Sequence, residues 1–76
     1  MKHAIPCYQD IQDLSGRIPP DEPVFLLRAQ DETAANVVRF WASLQPPGPL
    51  KSQALLHADQ MDAWPKKMAA DFSEDL

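Results

Sequence analysis

His3 and Cys7 stand four residues apart, and both side-chain types can bind zinc. A structural zinc site needs four ligands, and neither a CxxC nor an HxxxH pair follows to complete one. The two residues therefore do not imply a metal, and Cys7 is expected to be a small buried hydrophobe. Cys7, His57 and Asp59 are the residue types of a nucleophile, a base and an orienting carboxylate. Nothing in their spacing brings Cys7 to the other two. His57 falls instead on an apolar stripe, where its ring is expected to pack against Met61. The two glycines, Gly16 and Gly48, supply no Gly-rich phosphate loop. On motif grounds no enzyme is expected, and no metal or cofactor is called for.

The chemistry that remains belongs to the carboxylates. Asp10 and Asp13 are three residues apart, as are Asp59 and Asp62, so each pair shares one helix face with slight mutual repulsion. Asp71, Glu74 and Asp75 add an acidic ending. Seven Lys and Arg against eleven Asp and Glu give a net charge of −4. Direct nucleic-acid binding is disfavoured, because affinity for phosphate comes from clustered Lys and Arg. An acidic surface suits a basic groove on another protein, since complementary charge steers the encounter. These seven acids are the candidate partner-binding residues. The plainer reading is an ordinary solvated surface that keeps the chain soluble.

The elements that must position these residues are punctuated by proline. Eight prolines divide the 76 residues into short blocks. Pro19, Pro20 and Pro23 form one rigid elbow, and Pro46, Pro47 and Pro49 a second, because proline fixes φ and restricts its predecessor. An extended piece is expected at Ala4–Tyr8, at a sheet edge because Pro6 cannot donate a ladder hydrogen bond. Asp10 is then placed to cap a brief helix that turns Ile11 and Leu14 inward and stops at Gly16. Val24-Phe25-Leu26-Leu27 reads as a buried strand, paired with the Ala4–Tyr8 piece or with the same strand of a second copy.

The helix after that strand is the clearest element. Asp31 is a good N-cap, and Glu32 in the first turn complements the dipole. Ala34, Val37, Val38, Trp41 and Leu44 form one apolar stripe, widened by Phe40, with Trp41 at the centre of the core. Pro46-Pro47 ends it. A second helix is expected from Gly48 as cap and Pro49 as first helical residue. Its stripe is Leu50, Ala54, His57, Met61, Trp64 and Met68, with Leu55 and Leu56 off that line. Trp64 suits either the core or a partly exposed anchor for a partner. Pro65 should kink or restart the helix, and residues 71–76 should fray.

The predicted fold class is α+β: two main helices packed on a short one- or two-stranded β element, with a minor N-terminal helix. A single compact domain over 1–76 is expected, near the lower size limit for one core. A lone cysteine rules out an internal disulfide staple and fits a reducing compartment, so dimerisation is the open route to extra stability. The chain has no run of ~20 apolar residues, so no membrane span is predicted. The N-terminus lacks the apolar segment of a secretory signal, and the cytoplasm is the expected location.

Glu22-Pro-Val-Phe-Leu-Leu-Arg-Ala-Gln-Asp31, followed by Ala35, Val38, Arg39, Phe40, Trp41 and Ala42, resembles a family of small uncharacterised bacterial proteins associated with prophages and other mobile elements. His57-Ala-Asp-Gln-Met-Asp-Ala-Trp64 resembles the second helix of the same family. In size, acidity and lack of motifs, the chain is also similar in type to anti-CRISPR inhibitors. That likeness implies a non-enzymatic inhibitor facing the basic DNA-binding surface of a host CRISPR complex. The alternative from another class is an accessory or assembly protein of the mobile element, acting as a homodimer through Trp64 or Leu55 and Leu56.

Overall fold

The computed structural model describes residues 1–68. The expected fraying of 71–76 lies outside the described residues. The class is α+β, with two helices and a two-stranded parallel sheet. The described residues fall into two units, 1–26 and 27–68.

In the first unit, β1 (Lys2–His3) pairs in parallel with β2 (Pro23–Val24), with Lys2 opposite Pro23 and His3 opposite Val24. Lys2 N–H donates to the Glu22 carbonyl (2.8 Å) and Ala4 N–H to that of Val24 (3.2 Å). Both acceptors flank Pro23, so the strand is used through its carbonyls and the missing proline N–H is not needed. The strand is thus shorter than the predicted 24–27 run. Its partner is Lys2–His3 rather than Ala4–Tyr8: Ile5 is still extended (φ −95°, ψ 118°), but Pro6–Tyr8 forms a 3₁₀ turn. Proline at the first position of that turn suits its fixed φ.

No helix forms at residues 10–16. The Asp13 carboxylate takes the N–H and hydroxyl of Ser15 (3.0 and 2.6 Å) and the N–H of Ile18 (2.9 Å). Such local bonds offer the backbone an alternative to the helix ladder. Gly16 closes the turn at φ +73°, the left-handed region that glycine enters without steric penalty. Leu14 is fully exposed and Ile11 largely so, against the expected inward orientation. His3, Ile5 and Tyr8 are the buried residues of this unit.

The second unit is a helical hairpin, α1 (Ala34–Ser43) and α2 (Pro49–Ala63). Asp31 is not the N-cap of α1: Thr33 holds that position, and the Asp31 carboxylate accepts from the Thr33 N–H and hydroxyl (2.8 Å each). The delay has a visible cause. Met68 N–H donates to the Gln30 carbonyl (2.7 Å) and Glu32 N–H to that of Met68 (3.2 Å), holding 30–32 in a parallel bridge. Gly48 and Pro49 open α2 as predicted. Pro65 neither kinks nor restarts α2. The helix stops at Ala63, and Trp64 is extended (ψ 124°), the state proline imposes on its predecessor. Lys67 Nζ donates to the Met61 carbonyl, which also accepts the Trp64 N–H (3.2 Å), and to that of Ala29 (2.7 Å).

The hairpin packs through alanine. Ala34, Ala35, Ala58 and Met61 form its buried cluster, with Leu27, Ala29 and Val38 packed around them; Ala42 is also fully buried. The predicted stripes therefore fail in part: Val37, Trp41, Leu44, Leu50, His57, Trp64 and Met68 are exposed. Alanine lets two helix backbones approach closely, and the short 44–48 connection keeps them antiparallel. Among the described residues no helix is long and apolar enough to cross a membrane.

Candidate functional site

Each helix of the hairpin presents two unlike sides flanking its alanine face. At about 100° per residue, Arg39 stands a quarter-turn to one side of the α1 alanines, and Val37, Trp41 and Leu44 a quarter-turn to the other. On α2, Asp59 and Asp62 flank the Ala54–Ala58–Met61 face on one side, Leu50 and His57 on the other.

Arg39 Nη2 reaches Asp59 Oδ1 at 3.0 Å and Asp62 Oδ2 at 2.5 Å. Its Nη1 also donates to Asn36 Oδ1 at 3.3 Å. The bond to Asp62, then that to Asp59, holds the guanidinium above its ordinary pKa, so its charge is permanent. These bonds define a charged side of the hairpin. In an antiparallel pair the opposite sides fall together as well, so Leu50 and His57 lie on the same side of the hairpin as Val37 and Trp41. That second side is apolar and uncovered: Val37 is 46% exposed, Phe40 63%, Trp41 44%, Leu44 68% and Leu50 61%.

A shallow hollow of about 270 Å³ lies by the ends of the hairpin, lined by Arg28, Ala29, Gln30 and Trp64. Trp64 is half-exposed there, outside the buried core.

The seven predicted acids meet different fates. Asp59 and Asp62 come together, but on Arg39. Asp13 faces its own loop, and the Ser15 hydroxyl followed by the Ile18 N–H holds its carboxyl below the usual carboxylate value. Asp10 is exposed. Asp71, Glu74 and Asp75 lie outside the described residues. Cys7 is exposed rather than buried. His3 is buried, its Nε2 2.7 Å from the Ile11 carbonyl and its ring edge-on to Tyr8 with centroids 6.3 Å apart. That carbonyl can only accept, so Nε2 is the donor, and among the described residues Nδ1 meets no hydrogen-bond partner. Among the described residues no three His, Cys, Asp or Glu side chains gather to hold a metal ion.

The chain matches no family model, no curated protein and no solved structure. What the arrangement offers is adhesion: large apolar side chains displayed on a rigid pair of helices, with an ion-paired side behind them. Sequence reasoning missed this surface because the stripes looked like core. The signal that could have found it is the alanine set at 34, 35, 42, 54 and 58, a second possible packing face on each helix.

Proposed function

We propose that this chain is a non-enzymatic, protein-binding inhibitor of a phage or other mobile element, working in the bacterial cytoplasm by occupying a surface of a host complex. The observation that carries the reading is the uncovered apolar side of the hairpin. Val37, Phe40, Trp41, Leu44 and Leu50 are side chains that a protein partner covers and water does not favour. The mobile-element origin rests on the sequence resemblance. The narrowest form is an anti-CRISPR factor that meets a basic DNA-binding surface through acidic residues. Support for that form is thinner, because Arg39 already neutralises part of the Asp59–Asp62 pair and Asp13 is engaged within its loop.

Capture on tagged protein, at low and moderate salt, tests the reading. One defined host nuclease or CRISPR complex, recovered by the wild type in stoichiometric amount and inhibited by it, is the expected result. Loss of that complex as salt rises would assign the contact to the acids. A wild type that inhibits nothing and retains no defined protein overturns the reading.

A further inference from the structure

We infer that the apolar side of the α1–α2 hairpin is closed by a second copy of this chain, giving a four-helix bundle. The inference rests on the protein-binding reading, assigns this face to a second copy and leaves contact with a host complex to the rest of the surface.

Charge is the first argument. Positions 37, 40, 41, 44, 50, 53 and 57 are Val, Phe, Trp, Leu, Leu, Gln and His, with no Asp, Glu, Lys or Arg among them. A two-fold contact sets the same patch against itself, so any charge on it would meet its like. In a chain of net charge −4, this uncharged face is the one through which two copies can approach. A basic partner would find no complementary acid there. The described acids of the hairpin sit on the Arg39 side instead, where they stay outside the bundle and remain available to a host complex.

Area is the second. Taking about 150–250 Å² for a large side chain, the exposed fractions of Val37, Phe40, Trp41, Leu44 and Leu50 amount to roughly 550 Å² per copy. A stable standard-sized interface covers about 800 Å² per partner, and the flanking Gln53 and His57, both exposed, lie on the same side to extend the patch. The hairpin also has a reason to associate. No large side chain among the described residues is fully buried, and the hairpin's own cluster of alanines and Met61, with Leu27, Ala29 and Val38 around it, is small. Two hairpins packed face to face, at the shallow angle of helical bundles, would bury Trp41 and Leu44 between four helices.

Sedimentation equilibrium of the full chain, at low and high micromolar concentration and at low and high salt, reads the mass directly. The expected mass is twice the 8.5 kDa of one chain, insensitive to salt. The double variant Phe40→Glu with Leu44→Glu should halve it while keeping the helical circular dichroism. If that variant does not fold, dilution of Trp64→Phe protein gives the answer: Trp41 emission should move to longer wavelength as the copies part. A single-chain mass for the wild type, or Trp41 emission that is solvent-exposed and unchanged at every concentration, overturns the inference. So does a dimer that survives the double variant. A monomer that still inhibits and retains a defined host complex would leave the protein-binding reading standing without the second copy.

Discussion

Arg39 and Asp62 are joined across the α1–α2 hairpin at 2.5 Å, and Asp59 takes the same guanidinium nitrogen at 3.0 Å. Both helices are rolled toward this contact relative to the packing their apolar stripes suggest. On α1 the buried face is turned by roughly 70° from the predicted one, and on α2 by roughly 50°, counting about 100° per residue. The alanines meet, and the large side chains are left on the far side.

The ion pairs steer this geometry more than they stabilise it. The three side chains keep 34%, 71% and 51% of their surface in water, where ion pairs are screened. Replacing Asp59 and Asp62 with Asn should move the melting temperature by no more than about 4–8 °C. High salt should do much the same to the wild type. A thermal melt by circular dichroism checks both, and a large drop would make the contact a principal support of the fold.

The alanine face should be unforgiving. Ala42→Leu and Ala58→Leu insert bulk where no surface is exposed, and each should destabilise by about 1–3 kcal/mol. Leu44→Ala, on the uncovered side, should change the stability of a single chain by less than about 0.5 kcal/mol. Urea denaturation measures all three, run dilute so that association does not contribute.

Gly16→Ala tests the turn that replaces the expected N-terminal helix. A Cβ there meets nothing within 4 Å, so its effect comes from the positive φ alone. The expected loss is about 1 kcal/mol, with Gly16→Asn milder because Asn tolerates the left-handed region. Stabilisation by alanine would mean the segment prefers a helix after all.

Asp13 gives the first unit a defined acid response. Its carboxyl is held below the ordinary 3.8 by the Ser15 hydroxyl and the Ile18 and Ser15 N–H groups. A carboxyl depressed in the folded state contributes stability above its unfolded value. That contribution is lost as pH falls through the folded value, so the 13–18 loop should loosen below about pH 4 and be indifferent at neutral pH. The Ile18 amide, followed by NMR through an acid titration, reports the change. Asp13→Asn should abolish the titration and leave the amide shifted at every pH.

Several elements were legible from local chemistry. Gly48-Pro49 opens α2 where expected, because a proline at the first helical position needs no neighbour to act. Pro46-Pro47 follows the end of α1, and the α+β class follows from one apolar β segment and two long helical periods. Local rules misled where a more distant group competed. Asp31 lost the cap position because Met68, 37 positions along the chain, holds Gln30 and Glu32 in a bridge. The Asp10–Gly16 helix lost to the Asp13 side chain.

The amino-acid sequence by itself determined the helices, their prolyl boundaries, the acidic balance and the absence of a recognisable catalytic motif. These depend on φ restriction, period and composition, which are local or additive. Tertiary structure alone decided which side of each helix is inside. Each carries two candidate faces, one of alanines and one of large apolar residues. The choice between them depends on how closely two backbones can approach and on Arg39 finding Asp59 and Asp62, 20 and 23 residues away. That choice turned residues read as core into a surface.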